Sequence, residues 1–294
     1  MTTKIEWAEE TWNPITGCTK ISAGCANCYA ERMANRLANI PGSGYDKGNP
    51  FGVKFHPDRL DQPLKWKKPR KVFVCSMGDL FHEDVTDSWL DDVFFTAANL
   101  ARQHTYLVLT KRPQRMYEYF TKKIEDGFTW REGITYVPLP NVWLGVTAEN
   151  QDAADERIPW LMKTPAAKRF VSVEPMLGQV DLDTINGAFG CVDVGDLDWV
   201  ICGGETGPGA RPMRPDWARS LRDQCVSADV PFFFKHWGEY IPNVHGDKSI
   251  PDGTDFNKKH VFMENGVAMC RVGKKAAGRL LDGREWSEWP EVDA

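Results

Sequence analysis

Three cysteines fall in one short stretch, Gly17-Cys18-Thr19-Lys20-Ile21-Ser22-Ala23-Gly24-Cys25-Ala26-Asn27-Cys28-Tyr29-Ala30, with the spacing C-x6-C-x2-C. Thiolates this close suit a soft metal, either zinc or an iron–sulfur cluster. Cys18 and Cys25 each follow a glycine, which lets backbone approach a cluster and aim N–H groups at its sulfides. The count of three matters more than the spacing. A structural zinc site closes with four protein ligands, so zinc here needs a fourth from Cys75 or a histidine. Three ligands alone leave a metal position open for a substrate or cofactor. Spacing by itself does not decide among zinc, a cluster and three free thiols.

Other chemistry-bearing residues recur just after short apolar runs: Ser76 and Asp79; Thr110, Lys111 and Arg112; Thr147 and Glu149; Glu174; Glu205 and Thr206; Lys235 and His236. A turn does not need polar residues after every strand, whereas a binding face does. The run Lys65-Trp66-Lys67-Lys68-Pro69-Arg70-Lys71 sets cations around an aromatic ring, a mixture suited to phosphate contact with base stacking or to a solvated loop. His56, His82, His236 and Trp237 are further candidates for acid–base work or stacking.

The elements that must position these groups are legible as a repeat of apolar run, polar loop and amphipathic segment. The runs are Val72–Cys75, Tyr106–Leu109, Val142–Val146, Phe170–Val173, Trp199–Cys202 and Pro231–Phe234, and they read as strands buried on both faces. A further strand near Trp12–Thr16 precedes the cysteine loop, which puts that loop at the strand C-terminal mouth where barrels keep their sites. Between the runs, Asp87 reads as a cap for a helix with Leu90, Val93, Phe94 and Ala97. Pro113 opens one with Met116, Tyr117, Phe120 and Ile124. Asn150 precedes Ala154, Ile158 and Leu161, and Pro215 precedes Trp217, Leu221 and Cys225. Such alternation implies right-handed crossovers and an α/β fold. The expectation is a partial (β/α) parallel barrel over residues 1–237, with a Gly/Pro-rich polar insertion at about 41–70. Residues 238–294 read as a small C-terminal β-containing cap, with a hairpin His260–Met263 and Val267–Cys270 on a tight Asn265-Gly266 turn.

Composition sets the bounds. The chain has 294 residues, a formal charge of −5, 8 Cys and 12 Trp, which is ordinary globular composition with no global pull toward nucleic acid. Most of the tryptophans should fill the core. No apolar run is long enough to span a membrane and the N-terminus lacks a signal-peptide core, so a cytoplasmic location is expected. In a reducing compartment, close cysteines point to metal or redox chemistry rather than disulfides.

Several blocks carry a resemblance. The stretch Ile5-Glu6-Trp7 through Thr11-Trp12-Asn13-Pro14 and the cysteine loop to Arg32-Met33 is similar to the phage three-cysteine-motif family, a radical-SAM-like group. Ser76–His82, Leu109–Pro113, Gly145–Asn150, Val173-Glu174-Pro175, Gly203-Gly204-Glu205 and Gly278–Arg284 match as well, so the resemblance covers nearly the whole chain. It implies a barrel of the radical SAM type and a [4Fe–4S] cluster on Cys18, Cys25 and Cys28. It also implies S-adenosylmethionine on the fourth iron, cleaved after one-electron reduction to a 5′-deoxyadenosyl radical. The chain departs from the usual radical SAM pattern: six residues, not three, separate the first two cysteines, and an aromatic follows the third as Tyr29 instead of preceding it.

On this resemblance, Ser76, Asp79, Thr147, Glu149 and Glu205 are the cofactor-binding candidates, Asp79 for the amino group and Glu149 for the ribose. Lys111 or Arg112 suits a carboxylate or phosphate. Lys111, Glu174 and His236 are the catalytic candidates. The expected partners are DNA as substrate and an electron-donating reductase, in the host cytoplasm if the chain is phage-encoded. The leading expectation is modification or isomerisation of a nucleobase, such as a hypermodified thymidine of phage DNA. A zinc-stabilised, non-catalytic nucleic-acid-binding protein is the alternative from another class. A radical enzyme acting on a peptide or small metabolite is a third.

Overall fold

Runs of β-branched and aromatic residues with no charged interruption become strands when both faces are covered, and here they do. The computed structural model describes residue 3 and residues 5–127, 138–187, 190–191, 193–243, 260–262 and 266–291. Seven strands form one sheet: β1 (Glu10–Trp12), β2 (Lys71–Val74), β3 (Thr105–Thr110), β4 (Val142–Thr147), β5 (Lys168–Val173), β6 (Trp199–Gly203) and β7 (Phe232–His236), in sequential order. Sequential order without reversal is the winding of a partial (β/α) barrel, and a doubly wound sheet is excluded by it. The helices between them are α1 (Tyr29–Leu37), α2 (Asp87–Phe95), α3 (Pro113–Glu125), α4 (Gln151–Lys163) and α5 (Pro215–Ser227).

The chain packs as two compact units, the first made of Met1–Ser22, Cys28–Val146 and Trp160–Arg169, the second of Ala23–Asn27, Thr147–Pro159 and Phe170–Ala294. In the first, β1, β2, β3 and β4 pair in parallel, Trp12 beside Val74 and Val74 beside Val108. Trp12, Val72, Leu107 and Leu144 are fully buried there, with Leu90, Phe94, Met116 and Phe120 of α2 and α3 as the covering layer. Thr86, not Asp87, caps α2: its Oγ1 accepts from the Trp89 N–H at 3.3 Å. Asp87 stands one residue inside, where a carboxylate suits the helix dipole. Pro113 opens α3 as expected, but Ile124 ends the predicted apolar stripe 45% exposed.

The strand expected over Trp12–Thr16 divides. After β1, Ile15–Thr16 leaves the sheet and pairs antiparallel with Lys54–Phe55 from the insertion. Residues 41–70 are therefore tied down: the Trp12 indole donates to the Arg59 carbonyl at 2.8 Å, and His56 Nε2 meets Thr16 Oγ1 at 2.8 Å. Burial, with help from the Arg59 and Lys54 charges, pulls the His56 pKa down from 6.5 to about 4. The unfolded chain then binds a proton near pH 6.5 that the folded chain refuses until about pH 4. Stability contributed by the neutral ring is complete above pH 6.5 and is lost as pH falls toward 4. Between pH 7 and 4.5, wild type should lose about 2–3 kcal/mol more than His56→Gln in urea unfolding. Parallel pH profiles for the two proteins contradict that assignment.

In the second unit β5, β6 and β7 pair in parallel around Phe170, Trp199, Val200, Phe232 and Phe234, all buried. Asn150 caps α4, its Oδ1 accepting from the Ala153 N–H at 3.0 Å. Beyond β7, strands β8 (Tyr240–Pro242), β9 (His260–Phe262) and β10 (Ala268–Arg271) form an antiparallel sheet in the order β8-β10-β9. Phe262 pairs with Ala268, whereas a two-residue Asn265-Gly266 turn would pair it with Met269; the register is one residue off that expectation. Residues 263–265 lie outside the described residues. The end of the chain returns to β7: Phe234 N–H donates to Trp286 O at 3.0 Å and Glu288 N–H to Phe232 O at 3.3 Å. This covers a strand edge that would otherwise be open for pairing. Trp7, Trp12, Trp199 and Trp237 are among the largest fully buried side chains, but Trp66, Trp89, Trp160, Trp217, Trp286 and Trp289 are only half-buried, so fewer of the described tryptophans fill the core than expected. No helix among the described residues is long and apolar enough to cross a membrane.

Candidate functional site

The route into the cysteine loop is fixed by backbone. Gly17 has φ +90°, its N–H donates to Met77 O at 2.9 Å, and a Cβ on it would collide with the Gly52 carbonyl. A tight approach to the insertion thus accounts for this glycine. Cys18 follows, its N–H donating to Phe51 O at 3.1 Å. Its Sγ donates to the Thr19 carbonyl at 3.3 Å and accepts from Arg112 Nη1 at 3.3 Å.

Arg112 comes from the turn after β3, immediately before Pro113, whose ring disfavours helical backbone at the preceding residue. Nε donates to Glu83 Oε2 at 2.9 Å, and Nη1 also reaches Asp79 Oδ2 at 3.3 Å. Nη2 donates to Thr19 Oγ1 at 2.7 Å and to Thr19 O at 3.4 Å. With Cys18 Sγ these contacts engage all five guanidinium donors, so a cofactor carboxylate finds no spare N–H there. His82 is fully buried, and burial followed by the Arg112 charge lowers its pKa. Its Nδ1 accepts from the Asp84 N–H at 3.1 Å, which leaves Nε2 to donate to Thr19 Oγ1 at 2.9 Å.

The other candidates of this unit are also held. Asp79 is buried; Oδ1 accepts from Thr110 Oγ1 (2.7 Å) and Phe81 N–H (3.0 Å), and Oδ2 from Lys111 N–H (3.1 Å) and Arg112. Ser76 Oγ donates to Asn13 Oδ1 at 3.2 Å, and Lys111 Nζ donates to Ser22 Oγ at 3.0 Å. Arg112 and Lys111 therefore both act on the cysteine loop.

The second unit treats its share of the loop the same way. Glu149, 1% exposed, accepts the Gly24 N–H at 3.2 Å through Oε1 and Arg157 Nη1 at 2.9 Å through Oε2. The Gly24 N–H expected to face sulfide is thus directed at a carboxylate. Arg157 Nη1 also donates to the Thr147 carbonyl at 2.8 Å, beneath the buried Thr147 side chain. Glu205 takes Arg211 in a fork, Nη2 to Oε1 at 2.6 Å and Nε to Oε2 at 2.8 Å, while Nη2 reaches the Ala23 carbonyl at 3.0 Å. Burial pushes the Glu205 carboxyl up, but the Arg211 and Asn27 hydrogen bonds outweigh it and hold its pKa below the ordinary value. Asn27 Nδ2 donates to Gly209 O at 2.7 Å.

Glu174 and His236 lie together: Lys235 Nζ donates to Glu174 Oε1 at 2.6 Å, and His236 Nε2 stands 3.8 Å from the same oxygen. Lys111, the third catalytic candidate, belongs to the first unit. The indole of Trp237 is structural, donating to Leu280 O at 2.8 Å. In the basic run, Trp66 packs edge-on against His104 and is not a free stacking platform. Arg70 pairs with Glu9 and Lys65 with Asp61, while Lys67 and Lys68 are exposed. Sequence reasoning missed Asn13, Thr19, Arg157 and Arg211. Only Arg211 left a signal, since Gly207-Pro208-Gly209 marks a turn that returns the chain toward Glu205.

The donor chemistry fits a cluster. Cys18, Cys25 and Cys28 are half-buried and none is in a disulfide. Among the described residues no group of three His, Cys, Asp or Glu side chains is arranged to hold a metal ion. Cluster thiolates bond to different irons and need not meet at a point. Cys75, the cysteine suggested as a fourth zinc ligand, is buried, and burial pushes its thiol up to about 12.

No curated protein matches the sequence. Among solved structures, spore photoproduct lyase complexed with dinucleoside spore photoproduct is similar at 11% identity and TM-score 0.44, over 94% of this chain and 71% of that one. A double mutant of that lyase with bound AdoMet and dinucleoside spore photoproduct gives 11% and 0.44, over 92% and 70%. A further single mutant gives 12% and 0.42, over 93% and 71%. The family match runs over residues 2–290, and the chain belongs to the family described as protein of unknown function, DUF5131.

Proposed function

We propose that this protein is a radical S-adenosylmethionine enzyme of the phage three-cysteine-motif type that modifies or isomerises a nucleobase. Cys18, Cys25 and Cys28 would hold a [4Fe–4S] cluster. One observation carries the reading: in each unit, charged side chains that follow strands direct hydrogen bonds onto the cysteine loop. Arg112 and Lys111 act on Cys18, Thr19 and Ser22; Glu149 and Arg211 act on Gly24 and Ala23. A merely structural loop has no need of four buried or half-buried charges. Bound cluster and S-adenosylmethionine would supply a 5′-deoxyadenosyl radical, the chemistry suited to unactivated C–H bonds that no side-chain base can deprotonate.

The chain's own residues would do the rest. Ser76, Asp79, Thr147, Glu149 and Glu205 are read as the surroundings of S-adenosylmethionine, with Asp79, Glu149 and Glu205 also fixing the loop. Lys111, Glu174 and His236 are read as facing substrate. Glu174, with Lys235 on one oxygen and His236 3.8 Å away, is equipped to pass a proton at a base. Lys67 and Lys68 offer exposed charge for a DNA backbone. The electron would come from an external reductase.

The test is anaerobic reconstitution with iron and sulfide, then incubation with S-adenosylmethionine, dithionite and DNA carrying or lacking modified thymidine. Brown protein with iron and sulfide in about equal amounts, and 5′-deoxyadenosine formed in DNA-dependent excess, are the expected results. One zinc in a colourless protein rejects the cluster. Equal 5′-deoxyadenosine with and without DNA rejects the nucleic-acid substrate.

A further inference from the structure

We infer that Arg112 tunes the reduction potential of the cluster by donating a hydrogen bond to a ligand sulfur, Cys18 Sγ. This rests on the reading above that Cys18 is a cluster ligand. The contact is charge-assisted, 3.3 Å from Nη1 to Sγ, and the Arg112 side chain is only 10% exposed, so water and salt screen it weakly.

Geometry keeps the guanidinium on that sulfur. Nη1 is shared with Asp79, which is itself fixed by Thr110 and by the backbone N–H groups of Phe81 and Lys111. Glu83 holds Nε, and Thr19 holds Nη2 through both its carbonyl and its hydroxyl. His82 holds that hydroxyl from the other side. The plane cannot rotate away from Cys18 without breaking several of these bonds. A group retained only to bind a cofactor's carboxylate would keep donors free, and this one keeps none.

The sign of the effect follows from charge. On reduction the cluster gains one electron and no proton, supplied by an external one-electron donor such as a reduced iron–sulfur protein or flavoprotein. The added negative charge is stabilised by a nearby cation and by an N–H···S bond that draws electron density from the thiolate. Arg112 therefore raises the potential. Asp79 and Glu83, which pair with Arg112, act in the opposite direction, and without Arg112 both lose its compensating charge.

The experiment is a potentiometric titration of the reconstituted full-length protein, with titanium(III) citrate as reductant and the reduced-cluster signal in electron paramagnetic resonance as readout. Arg112→Met, holding as much iron as wild type, is expected to show a more negative midpoint. Arg112→Lys, which keeps charge and loses the fork, is expected to fall between the two. A wild-type midpoint in Arg112→Met at full iron content overturns the inference. If Arg112→Met does not hold iron, Arg112→Lys decides: a midpoint below wild type supports the inference and an unchanged one overturns it. Wild-type protein that takes up no iron refutes the cluster reading itself, a result distinct from an assembled cluster whose potential ignores Arg112.

Discussion

Replacing Cys18, Cys25 or Cys28 singly by Ala is expected to take reconstituted iron from about four per chain to near zero, and 5′-deoxyadenosine formation to background. Three thiolates leave no spare donor, so the loss of one should remove the cluster rather than weaken it. Cys75→Ala is the informative control. Cys75 is buried and lies outside the cysteine loop, so iron content should match wild type even if stability drops. Iron lost equally in Cys75→Ala would make Cys75 a fourth ligand and close the open coordination position. Iron retained in all three loop variants would remove the cluster from the loop altogether. Inductively coupled plasma analysis with visible spectra reads both outcomes.

The second large effect concerns stability. Arg157 and Glu149 are 2% and 1% exposed, and the guanidinium also serves the Thr147 carbonyl. Arg157→Met leaves a carboxylate buried without its counter-charge, which should cost about 3–5 kcal/mol in urea unfolding. The pair Glu149→Gln with Arg157→Met removes both charges while the amide oxygen still accepts the Gly24 N–H. It should lose less than Arg157→Met alone, a coupling that a double-mutant cycle measures directly. A cost below about 1 kcal/mol for Arg157→Met would mean that water reaches Glu149 and that the pair is not buried in solution.

Much of this architecture is legible in the chain. Strands buried on both faces appear as apolar runs because burying a charge there is costly, and Pro113 and Asn150 mark helix starts through purely local chemistry. The failures are equally physical. Asp87 and its neighbour Thr86 are both good caps, and only the observed bond to Trp89 separates them. Ile15 and Thr16 look like a continuation of β1, yet the partner that draws them away, Lys54–Phe55, is far along the chain. The rim residues Asp79, Glu149 and Glu205 are visible as charges after strands. That their oxygens are engaged by Arg112, Arg157 and Arg211 depends on folded geometry. The donor type of the cysteine loop suits a soft metal, and says nothing of the guanidinium aimed at its first sulfur.

The polar segment between α1 and β2 grips the approach to Cys18 at four points. Gly52 abuts Gly17, Phe51 takes the Cys18 amide, His56 holds Thr16, and Arg59 receives the Trp12 indole. What resembles dispensable surface decoration is therefore a mould for the loop's leading end. If the loop holds the proposed cluster, drift in the segment's length or chemistry would register as altered metal loading with every thiol still in place. Loss of colour in a variant altered there would reflect the mould, not the ligands.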